Sequence, residues 1–167
     1  MREPDINDQN IHIDTYYLEA FLMSRNEGEK EAKKEVQTAL RRARTNGDIF
    51  IKFSFLVIAE LINNLNNKVK DGKNRKEMLK GLFDLLKNSK IDVEPPKGDS
   101  LNIAASIKNS ENDLNITDVL IVAHALCDHQ SSILLMNDSD VLASKVINKM
   151  KNMDGRSRPL QIRESIN

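Results

Sequence analysis

Residues 115–140 read NITDVLIVAHALCDHQSSILLMNDSD. Two apolar elements of different kind stand almost back to back in this stretch. From Asn115 to Leu126 the run has the length of a helix, and Asn115 is a residue type that caps helix starts through its side-chain oxygen. Ser131 to Met136 is a shorter, continuous apolar run, as expected of a strand buried on both faces. Asn137-Asp138-Ser139-Asp140 then supplies turn chemistry and leads into a helix around Val141, Leu142, Val146 and Ile147. A buried helix, a buried strand, an acidic turn and another helix form one repeat unit of an α/β sheet.

The same alternation runs outward toward the amino terminus. Ile11-His12-Ile13-Asp14 reads as a short strand, and Thr15 opens a helix whose Leu18, Phe21 and Leu22 share one face. Residues 27–45 are highly charged, yet Ala32, Val36, Ala39, Leu40 and Ala43 recur at helical spacing. Ile49–Phe53 has the β-branched and aromatic content of a strand, and Ser54 is placed to cap the helix that carries Glu60. Lys73–Asn88 is a further helix, Ile91–Val93 a brief strand, and Ser100 is placed to cap the helix over 101–107. A last strand is expected at Leu160–Ile162. The expected architecture is therefore a central parallel sheet of four to five strands flanked by helices, in which ligands sit beyond the carboxyl ends of the strands.

The chain of 167 residues is expected to form one domain, with a core over about 10–150, a polar leader at 1–9 and a basic tail at 152–167. No apolar run approaches the roughly 20 residues that span a bilayer, and MREPDINDQN lacks the apolar core of a signal peptide. The expectation is a cytoplasmic protein without a membrane partner. One cysteine, Cys127, excludes a disulfide framework and a four-cysteine zinc site. His124 and Asp128, four apart, share a helical face, but their spacing with Cys127 and His129 matches no zinc signature. His12, inside a strand, reads as structural.

Asp14 and the Asp138/Asp140 pair follow apolar strands, where an open α/β sheet keeps its function. Glu60 interrupts the apolar stretch FLVIAELI, and Asp118 stands in the first turn of the most apolar helix. Each has an ordinary explanation alone: a turn residue, a solvent-facing Glu, or a complement to the helix dipole. Convergence of all five would need a cation, and ligands that are oxygen-only select Mg²⁺ or Mn²⁺. Such an ion activates water and stabilises an in-line phosphoryl displacement. Neither a GxxxxGK[ST] loop nor a GxSxG elbow offers a competing chemistry.

In these segments the chain resembles the PIN-domain ribonucleases. The resemblance rests on Ile11-His12-Ile13-Asp14-Thr15, Ser54–Glu60, Asn115–Ala123 and Leu134–Val141, in family order, and covers about residues 10–150. It implies a three-layer α/β/α fold and a Mg²⁺- or Mn²⁺-dependent endoribonuclease that cuts RNA with a metal-activated water. It further implies Asp14, Glu60, Asp118 and Asp138 as the catalytic, metal-holding quartet, with Asp140 as a further ligand or supporting group and Thr15, Asn115 and Thr117 beside them. Many small members are VapC-like toxins paired with an antitoxin protein, and others process RNA. Tyr16 and Met136 depart from the family pattern, standing where a small polar residue and a Thr or Ser are common.

The net charge of +0 hides segregation. Lys33, Lys34, Arg41 and Arg42 on one helix, and Lys73, Arg75 and Lys76 on another, are the expected contacts to an RNA backbone. An antitoxin and a second copy of the chain are the expected protein partners. Two rivals stand beside the nuclease: an inactive RNA-binding or scaffold protein of the same fold, and a receiver-like phosphoacceptor, which would leave Glu60 without a role.

Overall fold

The computed structural model describes residues 10–47, 49–152 and 159–166; the polar leader at 1–9 lies outside them. Among these residues five parallel strands form one sheet: β1 (Asn10–Ile13), β2 (Ile51–Ser54), β3 (Ile91–Glu94), β4 (Ser131–Leu135) and β5 (Gln161–Arg163), in the order β3-β2-β1-β4-β5. The chain travels from β1 through β2 to β3, then returns to the other side of β1 to lay down β4. The strand order therefore reverses between β1 and β4, which makes their carboxyl ends the expected crevice.

The helices are α1 (Thr15–Met23), α2 (Glu27–Thr45), α3 (Phe55–Lys68), α4 (Gly72–Leu86), α5 (Gly98–Ser110), α6 (Ile116–Cys127), α7 (Ser139–Ala143) and α8 (Lys145–Met150). They flank the sheet as three-layer α/β packing requires, because each presents one apolar stripe while the parallel strands are apolar on both faces. Ile11, Ile13, Ile51, Phe53, Leu134 and Leu135 are all at most 4% exposed and form the middle layer. No helix of the described residues is long and apolar enough to cross a membrane.

Element starts follow local capping. The Ser54 side chain accepts from the Leu56 N–H at 3.3 Å, and Asn115 Oδ1 accepts from the Thr117 N–H at 2.8 Å. Ser100 departs from expectation. The α5 helix begins three residues earlier, at Gly98, and the Ser100 hydroxyl donates to the Lys97 carbonyl at 2.6 Å, inside the first turn. The helix expected after Asp140 is broken at Ser144, whose hydroxyl accepts from the Ile147 N–H at 3.0 Å and so starts a second helix. The sheet also draws its edge strand from the basic tail, where Leu160, Ile162 and Ile166 are buried.

One part of the fold is polar by design of its partners. Asn10 and His12 project from β1 toward the end of α6, where Asp128 accepts from Asn10 Nδ2 at 3.2 Å and meets His12 Nε2 at 3.0 Å. Beside them His124 Nε2 meets Glu94 Oε2 at 3.1 Å, and the Lys52 ammonium reaches Glu94 Oε1 and Asp92 Oδ2, each at 2.9 Å. Thus His124 and Asp128 do share a helical face, but each is taken by a different strand.

Candidate active site

Asp14 follows β1 directly, and its backbone N–H donates to the Leu135 carbonyl at 3.0 Å, tying the ends of β1 and β4 together. Its side chain is 7% exposed. Asp138 lies three residues beyond β4, where its Oδ1 accepts from the Val141 N–H at 2.8 Å and caps α7. Glu60 comes from α3, and Asp118 from the first turn of α6. Four elements thus deliver these four carboxylates to a single cleft of about 350 Å³, lined also by Thr15, Tyr16, Asn64 and Asn137 and by two further acids, Glu19 and Glu29, that pair with Arg25.

The charges in this cleft are not balanced where the four acids meet. Burial pushes the Asp14 carboxyl up to about 7, reinforced by the charges of Asp118 and Glu60 and only partly offset by the backbone N–H groups of Thr15 and Tyr16. Burial, then Asp138 and Glu60, push Asp118 up to about 6. Each raised value reflects a carboxylate that loses more to burial and to neighbouring negative charge than its partners return. The Thr15 hydroxyl donates to Glu60 Oε2 at 2.5 Å and fixes the orientation of that carboxylate.

The donor set fits a hard divalent cation: every candidate ligand atom is a carboxylate oxygen, and two of the groups are held in a strained ionisation state that a cation would relieve. The protein's own cations do not fill this role. Arg25 and Lys68 line the same cleft, but Glu19 holds both, with Lys68 Nζ at 2.8 and 2.9 Å and Arg25 Nη2 at 3.1 Å. Asn64 completes the arrangement by donating to Glu19 Oε2 at 3.0 Å.

The other expected residues fall in different places. Asp140 is exposed in the first turn of α7 and is not among the residues lining the cleft. Asn115 and Thr117 form the α6 cap described above. Lys33, Lys34, Arg41 and Arg42 lie on α2, and Lys73, Arg75 and Lys76 on α4. None of them lines the cleft, and only Lys34 lines the neighbouring cavity. Arg75 donates to the Val69 carbonyl at 3.5 Å. Met136, one of the two departures, is fully buried in the core rather than in the cleft; Tyr16, the other, is a cleft residue. Glu19 and Asn64 were not singled out in the sequence, because nothing adjacent to them marks them, and Asn137 was read only as part of the turn around Asp138.

A second group has metal-like spacing. One donor atom each from His12, Glu94 and Asp128 lies within 4.8 Å of the others. Here, however, each donor already has a partner: burial opposes the Asp128 charge, but hydrogen bonds from His12 and Asn10 and from the Gln130 N–H outweigh it and hold the carboxyl well below its ordinary value.

A family model of the PIN domain matches residues 11–146. The chain belongs to the PIN-domain family. Its fold is shared with VapBC2 from Rickettsia felis, solved bound to a DNA fragment from its promoter, at a TM-score of 0.63 and 13% identity, covering 92% of this PIN chain and 98% of that one. It is shared also with VapC20 of Mycobacterium tuberculosis, described as a sarcin-ricin loop cleaving toxin, at a TM-score of 0.56 and 15% identity, covering 81% and 95% of the two chains. No curated protein matches the sequence.

Proposed function

We propose that this PIN domain is an endoribonuclease that hydrolyses RNA phosphodiester bonds with the help of Mg²⁺ or Mn²⁺ held by Asp14, Glu60, Asp118 and Asp138. One observation carries the reading: four carboxylates from four elements meet in one cleft, and the most buried is pushed up to about 7 rather than neutralised by a protein cation. Perturbed acids that face one another rather than a protein cation, gathered at the switch point of an α/β sheet, mark a functional site.

The chain's own residues perform definable tasks. Asp14 is fixed by the backbone tie between β1 and β4, Asp138 by its capping bond, and Glu60 by Thr15, so three of the four carboxylates are held before any ligand arrives. Rigid placement of this kind removes entropy that would otherwise oppose the reaction. A divalent cation supplies there an activated water and charge stabilisation for the displaced oxygen. Arg25 and Lys68, aimed by Glu19, stand at the cleft for the phosphates of the strand. Asp140 and the basic faces of α2 and α4 are outer contacts in this reading.

The likeness to VapC20, a sarcin-ricin loop cleaving toxin, supports RNA as substrate, and the likeness to VapBC2 supports an antitoxin partner. Met136, one of the two departures from the family pattern, is buried in the core and does not line the cleft. The test is cleavage of a mixed-sequence RNA by the full chain with Mn²⁺ or Mg²⁺. Cutting that stops with chelator and with Asp14→Asn is expected, and cutting that persists in Asp14→Asn and Asp118→Asn places the chemistry elsewhere.

A further inference from the structure

A second cavity opens beside the acidic cleft and shares a wall with it. Its volume is about 490 Å³, against about 350 Å³ for the cleft, and Tyr16 and Asn137 line both. The proposed reaction uses neither this cavity nor Tyr16.

Three properties decide what the cavity accepts. First, Glu31, Glu35 and Glu164 line it against one cation, Lys34. Glu35 already accepts from the Ile166 N–H at 2.7 Å, which leaves Glu31 and Glu164 as the acids open to a guest. Such a lining repels a phosphate and suits a neutral group that offers N–H donors. Second, the shared wall is aromatic. The Tyr16 and Tyr17 rings stand perpendicular at 88° with centroids 5.4 Å apart, and the Tyr17 hydroxyl donates to the Glu164 carbonyl at 2.7 Å, so Tyr16 packs against an anchored neighbour. Third, Gly28 contributes no side chain. A Cβ there would lie 3.5 Å from the Tyr16 hydroxyl, so any longer side chain would grow into the space beside that ring.

We infer that this cavity takes a nucleobase of the RNA strand, next to the phosphodiester lying in the acidic cleft, with Tyr16 as its stacking surface. Guanine fits best, because its N1–H and N2 amino donors lie on one edge and match a carboxylate. The inference rests on the reading of the cleft as an RNA-cutting site. Unstacked bases held on an aromatic ring and read on their Watson–Crick edge are the general mode of single-strand RNA recognition. An arginine side chain from a partner protein is the other guest an acidic lining suits, but the cavity shares the Tyr16–Asn137 wall with the cleft in which the phosphodiester lies, which favours a base of that strand.

The chain holds two tyrosines and no tryptophan, and both tyrosines line this cavity. Intrinsic tyrosine emission therefore reports on it directly. The experiment titrates guanosine, adenosine, cytidine and uridine 5′-monophosphates into the full chain without divalent metal, correcting for their absorbance. Saturable quenching by the guanosine nucleotide, at least about fivefold tighter than by the pyrimidines, is expected, with the same preference in Tyr16→Phe and at least about fivefold weaker binding in Tyr16→Ala and Gly28→Leu. Gly28 is exposed near the start of α2, so its variant should keep the parent's thermal melt, which is checked alongside. Equal responses to the four nucleotides, an unaffected Gly28→Leu, or quenching by N-acetyl-arginine amide in place of the guanosine nucleotide overturns the inference. A second arm sequences the ends of cut RNA in Mn²⁺: guanine enrichment beside the cut is expected in the parent and in Tyr16→Phe, and is lost in Tyr16→Ala. Asp14-dependent cutting without base preference overturns the cavity alone. Guanine discrimination in a chain that cuts nothing removes the nuclease and leaves the base site.

Discussion

Helix α6 carries a carboxylate near each end, Asp118 half-buried and Asp128 buried, and the two have opposite fates. Asp118, in its first turn, meets Glu60 and Asp138 and is pushed up to about 6. Asp128, just past its last turn, meets His12, Asn10 and the Gln130 N–H and is held well below its ordinary value. Burial opposes the charge at both places. Partners make the difference, so a buried acid is informative only after its neighbours are counted. The end with donors is structure, and the end without them is where the proposed cation would sit.

The sharpest way to break this comparison is to remove a carboxylate at each end. Asp14→Asn or Asp118→Asn should reduce Mn²⁺-dependent RNA cleavage by at least about 100-fold, more than loss of a supporting residue usually costs. Asp128→Ala should behave in the reverse way. It leaves His12 and Asn10 buried without their acceptor, so urea unfolding should show a loss of about 3–5 kcal/mol, while Mn²⁺ binding to the folded chain persists. Equal effects of the two substitutions on stability and on cleavage would erase the distinction.

The pH dependence comes next in size. Asp14 has a raised value when folded, so the metal-free native state binds a proton that the unfolded chain releases. Stability should therefore rise as pH falls from 8 to 5.5, by about 2 kcal/mol for this group if it moves from near 4 to about 7 on folding. Millimolar Mn²⁺ should flatten that slope, because the cation competes with the proton. Asp128 contributes in the opposite sense: its stabilisation is present above the unfolded value and is lost only as pH falls below about 4. Denaturation series at several pH values, with and without metal, separate the two windows. The smallest effect is expected at Thr15→Val, which frees Glu60 and should weaken Mn²⁺ affinity by about 10-fold by calorimetry without a comparable change in melting temperature.

Residues adjacent to an element boundary were legible in the sequence. Asp14 and Asp138 follow strands that announce themselves by unbroken apolar content, and Asn115 and Ser54 sit at helix starts that their chemistry favours. Glu60 was visible because its neighbours are apolar. The companions of these residues were not. Glu19 is joined to Asn64 and Lys68 across 45 and 49 positions, and His12 to Asp128 across 116; no local pattern encodes such pairings. The same limit blurred the cleft's cations: the basic segments as a whole were legible, but their densest parts drew attention to Lys33 and Lys73, while Arg25 and Lys68 at the segment edges are the ones that reach the cleft, paired with Glu19. Ser100 and Ser144 show the converse, since two serines of equal capping power are used differently once a turn can begin upstream.

The register of β1 has a kinetic consequence. Ile11 pairs with Ile51 on one side and with Ile133 on the other, so the central strand is completed only when segments some 120 residues apart have met. Closures of that separation are slow relative to hairpins and helices, and the tie between Asp14 and Leu135 is made by this one. The mutually repelling acids are therefore assembled late, and a partly folded chain has no cleft in which to hold a metal ion or RNA. Any cutting at this cleft would therefore begin only when folding is complete.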